Sequence, residues 1–491
     1  MSYRPDVTSA HKDLRFAVIG AGMAGILSAI KLKEAGLADY TVYEKADRLG
    51  GTWRENTYPG LTCDVPSHLY SYSFALNPDW SHMYSPGGEI QAYFERVAAE
   101  HDVVGSIRFG EEVVRLDWVD GRWHLETSRG TRDVVDVVIA ATGVLHHPKY
   151  PDFEGLESFE GACFHSARWD HTVPIDGARV GIVGTGSTSV QIITAIVDRV
   201  QKLSVFQRTA QWVMPATNPE YTDEQKEEFR KHPEKLAALH ARLCEVFDLF
   251  ANGVVDAHSS QMQMIADACR ANLEDNVKDP VLRERLRPDY QAACKRLIMA
   301  DGFYEAMQKP SVELVTEKIL RVEPSGVRTA DGELHELDVL VLATGFKVDA
   351  FMRPMQVTGR GGVRLEDEWK HRPNAYLSIS IPDFPNLFML NGPNGPVGNF
   401  SLIEVAELQF AYIMQLVELL RSGRCRTVCA TRAAMEEHEA ARVEAAKRTV
   451  WSTGCRSWYL DDRGVPAVWP WPFTKFREVM AAPDLSAYEL T

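Results

Sequence analysis

Two glycine-rich turns carry the first chemistry that this chain offers. The turn Gly20-Ala21-Gly22-Met23-Ala24-Gly25 follows the apolar run Phe16-Ala17-Val18-Ile19. It opens a stretch of helical pattern from Ile26 to Glu34, after which a strand Thr41-Val42-Tyr43 ends at Glu44. Each glycine in such a unit has its own task. Gly20 allows the tight turn, Gly22 lets backbone approach a pyrophosphate, and Gly25 lets helix pack close to strand, with the helix N-terminus facing the phosphates. The carboxylate of Glu44 then suits the hydroxyls of a ribose. The pattern recurs at Arg179-Val180-Gly181-Ile182-Val183 and Gly184-Thr185-Gly186-Ser187-Thr188-Ser189. Here Ser189 stands third, small enough for close packing, and the next strand, Leu203-Ser204-Val205-Phe206, ends at Gln207-Arg208-Thr209 without a carboxylate. An arginine at that position accommodates a 2′-phosphate, so the second site should prefer NADPH to NADH. Two dinucleotide sites in one chain suggest a flavin and a nicotinamide coenzyme. The matching strand ends Ala141-Thr142-Gly143 and Ala343-Thr344-Gly345 fit the same pairing.

The elements that must hold these turns are two βαβ units, so the fold class is α/β. Two Rossmann-like dinucleotide-binding domains are expected, with a helical insert. From 222 to 300 glycine is nearly absent and Glu, Lys, Ala and Leu recur at helical spacing. Strands resume at Val312–Val315 and Leu337–Leu342, helices are expected over 402–421 and 433–449, and the tail Trp469-Pro470-Trp471-Pro472 reads as extended. The 491 residues suggest roughly three domains. The expected division is 1–150 and 346–491 for the first dinucleotide domain, 151–215 and 301–345 for the second, and 216–300 for the insert. With 45% hydrophobic and 25% charged residues the chain is an ordinary globular one, not a disordered or fibrous one. The net charge of −15 speaks against a nucleic-acid partner. No run of about 18 apolar residues is present to span a membrane. The start MSYRPDVTSAHKDLR lacks the order of a signal peptide. Eight scattered cysteines without a CxxC pair suggest neither a disulfide scaffold nor a zinc site, and a reducing cytoplasm is expected.

Two longer strings resemble a known family. Gly50-Gly51-Thr52-Trp53-Arg54-Glu55-Asn56-Thr57-Tyr58-Pro59-Gly60-Leu61-Thr62-Cys63-Asp64 resembles the [A/G]GxWxxxx[F/Y]P[G/M]xxxD signature of type I Baeyer–Villiger monooxygenases. Phe159-Glu160-Gly161-Ala162-Cys163-Phe164-His165-Ser166-Ala167-Arg168-Trp169-Asp170 is similar to that family's FxGxxxHxxxW[P/D] fingerprint. The order of the strings and the turn Gly392-Pro393-Asn394 agree, and the resemblance covers nearly the whole chain. It implies FAD at the first turn, NADPH at the second, and an active-site arginine in a Lys-Arg pair after the insert. That pair is Lys295-Arg296, which makes Arg296 catalytic and Asp64 its carboxylate partner. Lys295, with Arg208 and Thr209, would contact the 2′-phosphate, and Trp458 the coenzyme ribose. Plainer readings remain open: Asp64 as a loop cap, Arg296 as a solvated helix-end arginine.

The implied reaction uses NADPH, FAD and O2. Reduced flavin traps O2 as a C4a-peroxide, which attacks a small-molecule ketone and yields an ester or lactone. A fixed guanidinium favours the peroxide anion and the oxyanion of the adduct, a role that a lysine fills poorly. Trp53 is expected to wall the flavin. His165 and Trp169, with Phe159 and Gly161, are expected to organise the interdomain linker rather than to move protons or bind metal, and His146-His147 to lie in a surface loop. Cys63 and Cys294 are read as incidental. The insert and the segment around Trp458 are candidate lids, and pocket residues are expected near Arg296, in 395–402 and in the tail. The alternatives are an N- or S-oxygenating flavin enzyme and an NADPH oxidoreductase without oxygen transfer. Disulfide reduction is disfavoured by the lack of a CxxC near the flavin turn.

Overall fold

The computed structural model describes residues 12–398 and 400–491. Most of the N-terminal stretch read for a leader, and residue 399 of the expected pocket segment, lie outside the described residues. Each glycine-rich turn sits at the end of the central strand of a five-stranded parallel sheet. In the first sheet the spatial order is Leu387–Met389, Val137–Ala140, Phe16–Ile19, Tyr40–Glu44 and Ile107–Phe109. In the second it is Val312–Val315, Lys202–Phe206, Arg179–Val183, Val339–Leu342 and Ala162–His165. The apolar runs FAVI, VVIA and VLVL are buried at every position, because parallel sheets are covered on both faces.

The helix Met23–Glu34 follows the first turn and Ser187–Ile196 the second, close to the expected bounds. Over Leu402–Arg421 the residues Ile403, Ala406, Phe410, Ile413, Val417 and Leu420 recur every three or four positions, and all are buried. That stripe packs this helix on Met23–Glu34 and covers one face of the first sheet. Each such aliphatic side chain contributes about 1.5–3 kcal/mol when fully buried.

The insert is helical over Asp223–Lys231, Pro233–Val254, Ser260–Asn276 and Pro280–Arg285. Thr222 and Gln225 form a capping box at its start, and Pro233 opens the long helix. Beyond Arg285 the backbone leaves the helix. It ends in a short strand, Ile298–Ala300, paired in parallel with Val213–Pro215, and Arg296 lies just ahead of that strand. The tail Trp469–Pro472 is extended and leads into a helix, Phe473–Ala481. Two smaller sheets were not anticipated. One joins Gln356–Thr358, Val113–Val119, Arg122–Thr127 and Arg132–Val135, and the other spans 319–336.

One expectation is overturned. Cys294 and Cys455 form a disulfide across 161 positions, with Cα atoms 6.1 Å apart. Spacing along the chain could not reveal it, because only folding brings the segment after the insert against the segment before the tail. Cys294 is therefore not incidental, and the cysteine pattern no longer argues for a reducing compartment. The other six cysteines are free. Among the described residues no helix is long and apolar enough to cross a membrane.

Candidate active site

Both phosphate turns close on the strand ends that the sequence paired with them. Gly20 has φ +100°, and a Cβ there would stand 2.6 Å from the Ala141 carbonyl oxygen. Gly184 has φ +117°, and its Cβ would stand 2.4 Å from that of Ala343. A Cβ at Gly25 would lie 1.8 Å from the Gly20 carbonyl oxygen. Ser189, the counterpart of Gly25, instead donates its hydroxyl to the Gly184 carbonyl at 2.7 Å. Gly22 faces Gly51 of the first fingerprint string, whereas the space beside Gly186 is open. Neither helix has a side-chain cap, so the amides at Met23 and Ser187 remain for a phosphate.

Glu44 is buried. Its carboxylate accepts from Ala21 N at 2.8 Å, Ala46 N at 2.9 Å and the Arg54 guanidinium at 3.0 Å. Arg54, a variable position of the fingerprint, escaped the sequence reading; its place beside Trp53 was the available signal. Trp53 is buried and donates its indole N–H to the Tyr70 hydroxyl at 3.1 Å. Around the strand Leu387–Met389 and the start of the helix Leu402–Arg421, five buried polar atoms lack partners: Ser378 Oγ, Asn391 Oδ1, Asn394 Oδ1, Ser401 Oγ and Gln409 Nε2. An unpaired buried polar atom costs about 1–3 kcal/mol, so these atoms are free to pair with a polar ligand.

On the second fold, the Thr185 hydroxyl donates to the Thr209 carbonyl at 2.8 Å and so steadies the end of the neighbouring strand. Arg208 is exposed, Thr209 is half-buried, and Lys295 stands close enough to feel the charge of Arg208. Burial, opposed by Asp289 and reinforced by Arg208, lowers the Lys295 pKa. The ammonium lies 4.5 Å from the Tyr290 ring centre, and Tyr290 in turn donates to the Ala210 carbonyl. Two adjacent cations suit a phosphate monoester. Replacing Arg208 by alanine is expected to raise the KM for NADPH by about 10- to 100-fold, the scale of charge-assisted hydrogen bonds worth 1.5–3 kcal/mol, and to leave that for NADH within about twofold. Steady-state kinetics with both coenzymes will check this, and equal effects would sink the assignment.

Arg296 sits where the two folds and the tail meet. Its Nη2 is paired with Asp64, and its Nη1 donates to the Gly398 carbonyl at 2.6 Å. Burial acts against the guanidinium charge, but Asp64 and Tyr459 outweigh it and hold the pKa above its usual value. Asp64 is itself placed from the second fold. Tyr58 donates to Gln191 Oε1 at 2.9 Å, Gln191 Nε2 donates to the Thr62 carbonyl at 3.1 Å, and Gly60, with φ +79°, leaves a Cβ only 2.4 Å from the Gln191 carbonyl oxygen. Cys63 is buried and its thiol is pushed up by that burial, so it stays protonated. Trp458 is 39% exposed and stands beside Tyr459, their ring centres 4.2 Å apart. The buried neighbour Tyr459, unremarked in the sequence, is the ring that reaches Arg296.

The second string ties the folds together. Gly161 has space for no Cβ, which would stand 2.5 Å from the Asp338 carbonyl oxygen, and Phe159 is buried beside it. His165 shares its Nε2 proton with the Gly345 carbonyl at 3.0 Å and accepts from Ala167 N at 3.1 Å through Nδ1. Burial lowers its pKa, so the neutral ring is locked in one tautomer. Trp169 is buried edge-on against Phe164. Arg168 pairs with Glu55 at 2.5 Å, and Glu55 with Arg54 at 2.5 Å, so the two strings are joined through Glu44 to the first turn. His146 and His147 are half-buried and meet the carbonyls of Phe351 and Arg353.

Two dinucleotide folds meet at a half-buried arginine, the arrangement of an oxidoreductase that uses two dinucleotides. Residues 13–223 match the flavin-binding monooxygenase-like family. An uncharacterised monooxygenase of Mycobacterium tuberculosis is 48% identical over 96% of this chain and 95% of its own. A Baeyer–Villiger monooxygenase of Streptomyces coelicolor is 39% identical over 98% of this chain and 93% of its own. Cyclohexanone monooxygenase from Rhodococcus sp. Phi1, solved with NADP+, superposes with a TM-score of 0.86 at 30% identity, covering 97% of this chain and 99% of that one. The chain belongs to the Baeyer–Villiger monooxygenase family. It is therefore a monooxygenase with FAD and NADPH as its cofactors.

Proposed function

We propose that this enzyme inserts one oxygen atom of O2 beside a ketone carbonyl to give an ester or lactone, with Arg296 as its catalytic residue and Asp64 orienting it. The observation that carries the reading is the guanidinium held between Asp64 and the Gly398 carbonyl at the meeting of the two folds. When bound, FAD reduced by NADPH supplies activated dioxygen. Everything else falls to the chain. A guanidinium has five N–H donors, and the two anchors leave others for an incoming oxygen anion and for the carbonyl oxygen as it gains charge. Asp64 keeps the planar fork from rotating and offsets its charge while the site is empty of substrate. A preorganised donor aimed at developing charge is worth about 2.7–4 kcal/mol in a water-poor site.

Gly20, Gly22 and Gly25 of the first turn, Glu44 and the unpaired atoms near Asn391 and Ser401 hold FAD on this reading; Trp53 walls its ring. Gly184, Gly186, Ser187, Ser189, Arg208, Thr209 and Lys295 hold NADPH, with Trp458 at its ribose, and Phe159, Gly161, His165 and Trp169 hold the linker. The first dinucleotide domain then comprises 1–150 and 346–491, the second 151–215 and 301–345, and the helical insert 216–300 serves as a lid. The test is a panel of cyclic, linear and aryl ketones with product identification by mass spectrometry, run beside a thioether. Ester or lactone from at least one ketone, at a rate above sulfoxide, is the expected result. Sulfoxide alone, or NADPH consumption without any oxygenated product, would overturn it.

A further inference from the structure

The disulfide joins two segments that reach the same guanidinium. Cys294 lies two residues before Arg296, and Cys455 lies four before Tyr459. Tyr459 is buried, and its hydroxyl presses on Gly398 so closely that a Cβ there would lie 2.0 Å away. Gly398 is the residue whose carbonyl receives Arg296. The guanidinium is thus gripped by Asp64 and by the Gly398 carbonyl, and the Tyr459 hydroxyl backs the Gly398 side of that grip. Asp64 is fixed by its loop's docking on Gln191, and Gly398 lies just ahead of the helix Leu402–Arg421, but Tyr459 hangs on a strap.

The far end of that strap is tied down by Arg372, which pairs with Asp461 at 2.7 Å, and by Ala467 N, which donates to the Tyr459 carbonyl at 2.7 Å. The near end, residues 452–456, is exposed at every position except Cys455. Its covalent tie is the disulfide. On the other side, Ala293 is held at φ +63°, a left-handed conformation that a residue with a Cβ adopts only when its surroundings impose it. Ala293, Cys294, Trp451, Cys455 and Tyr459 share one apolar cluster with Val254, Met262 and Ile265 of the helical insert.

We propose that the Cys294–Cys455 disulfide is a redox-sensitive clamp that holds Tyr459 against Arg296, with Tyr459 as a positioning residue for oxygen transfer. The proposal rests on the catalytic reading of Arg296 given above. Reduction by a thiol reductant is a two-electron exchange. Two thiols give up their protons and become a disulfide, the S–S bond of Cys294–Cys455 breaks, and two cysteine thiols form. The bond is covered, with Cys294 buried and Cys455 7% exposed, so a small thiol reaches it as the exposed segment 452–456 opens. The near end of the strap is then released, Tyr459 withdraws, and the Gly398 carbonyl that receives the guanidinium loses its backing. Lys295 and Trp458, which the proposed reading sets beside the coenzyme, adjoin the released segments, so the apparent affinity for NADPH falls as well; the residues proposed to hold FAD lie elsewhere, and flavin reduction at saturating NADPH is spared.

The test uses the FAD-loaded enzyme with and without dithiothreitol. Thiol titration of the denatured, unreduced protein should find six of the eight cysteines reactive, matching the free set. After reduction, hydrogen exchange should rise in 452–460. At saturating NADPH, anaerobic flavin reduction should stay within about twofold, while product formed per NADPH falls about tenfold or more and hydrogen peroxide rises, as expected for misplacement at a reacting centre. Oxidised glutathione should reverse all three changes. The double variant Cys294→Ser/Cys455→Ser should behave as the reduced enzyme and ignore dithiothreitol, and Tyr459→Leu should lower coupling in the oxidised enzyme. Eight reactive cysteines in the denatured, unreduced protein, or a double variant that couples as the parent does, would overturn the clamp. The two readings fail separately. If Arg296→Ala abolishes oxygen transfer and reduction changes nothing, only the clamp is lost; if Arg296→Ala couples normally, the catalytic reading is.

Discussion

Replacing Arg296 by alanine will leave reduction of the flavin by NADPH within about twofold of the parent and cut ester formation by about 10²- to 10³-fold, the loss that follows removal of one preorganised donor. The separation is the informative part. On the proposed reading hydride transfer is served by Gly186 and Arg208 of the second fold with Lys295 of the insert, whereas Arg296 hangs between Asp64 and Gly398 at the junction. NADPH should therefore still be oxidised, with hydrogen peroxide in place of product. Arg296→Lys should recover little, because an ammonium restores the charge but not the planar fork that Asp64 and Gly398 grip together. Removing the guanidinium also leaves the Asp64 carboxylate, 24% exposed, without its partner, so thermal unfolding must be followed alongside. The additional variant Arg296→Ala/Asp64→Asn removes that stray charge. If its fold is intact and product is still absent, the effect is chemical. Rapid-reaction reduction and product analysis on the same samples decide the matter; normal ester formation by Arg296→Ala would falsify the assignment.

A second large effect is expected from a single methyl group. Gly25→Ala would place its Cβ 1.8 Å from the Gly20 carbonyl oxygen, which is backbone and cannot turn aside. The helix Met23–Glu34 must then move off the strand Phe16–Ile19. Overpacking of this kind costs about 1–3 kcal/mol or more. The same displacement moves the amides that face the phosphates, so FAD affinity should fall at least tenfold, about 1.4 kcal/mol. The purified variant should be pale, with a reduced ratio of flavin to protein absorbance, and should melt earlier. Gly88→Ala is the control. Its Cβ would meet nothing within 4 Å, and it sits in the helix Gly87–Glu100, so it should keep full flavin content. If Gly25→Ala is as yellow as the control, the turn does not hold the cofactor as argued.

Much of the scaffold could be read from local pattern. The turns at 20–25 and 184–189 are legible because the tight turn and the close helix approach admit few residue types, and those constraints act within six positions. The strands around them appear as unbroken apolar runs because both faces of a parallel sheet are covered. The two antiparallel sheets at 113–135 and 319–336 were missed. Their strands are half-exposed and short, with alternation such as that of Arg122–Thr127, and a three- to seven-residue alternation competes with many chance patterns. Arg54 and Tyr459 were missed for a different reason. Each adjoins a residue that was singled out, Trp53 and Trp458, but what each touches lies in another segment.

The amino-acid sequence by itself determined that this is a two-dinucleotide α/β enzyme, and its fingerprints identified the family, because backbone sterics and phosphate recognition are local. Only the tertiary structure decided the company that Arg296 keeps. Asp64, Gly398 and Tyr459 converge on it from 232, 102 and 163 positions away, and the Cys294–Cys455 bridge closes a loop of 161. No spacing rule connects such residues. They meet because the fingerprint loop docks on Gln191 and the strap packs on the helical insert, and burial of apolar surface, which has no memory of sequence distance, chooses those partners.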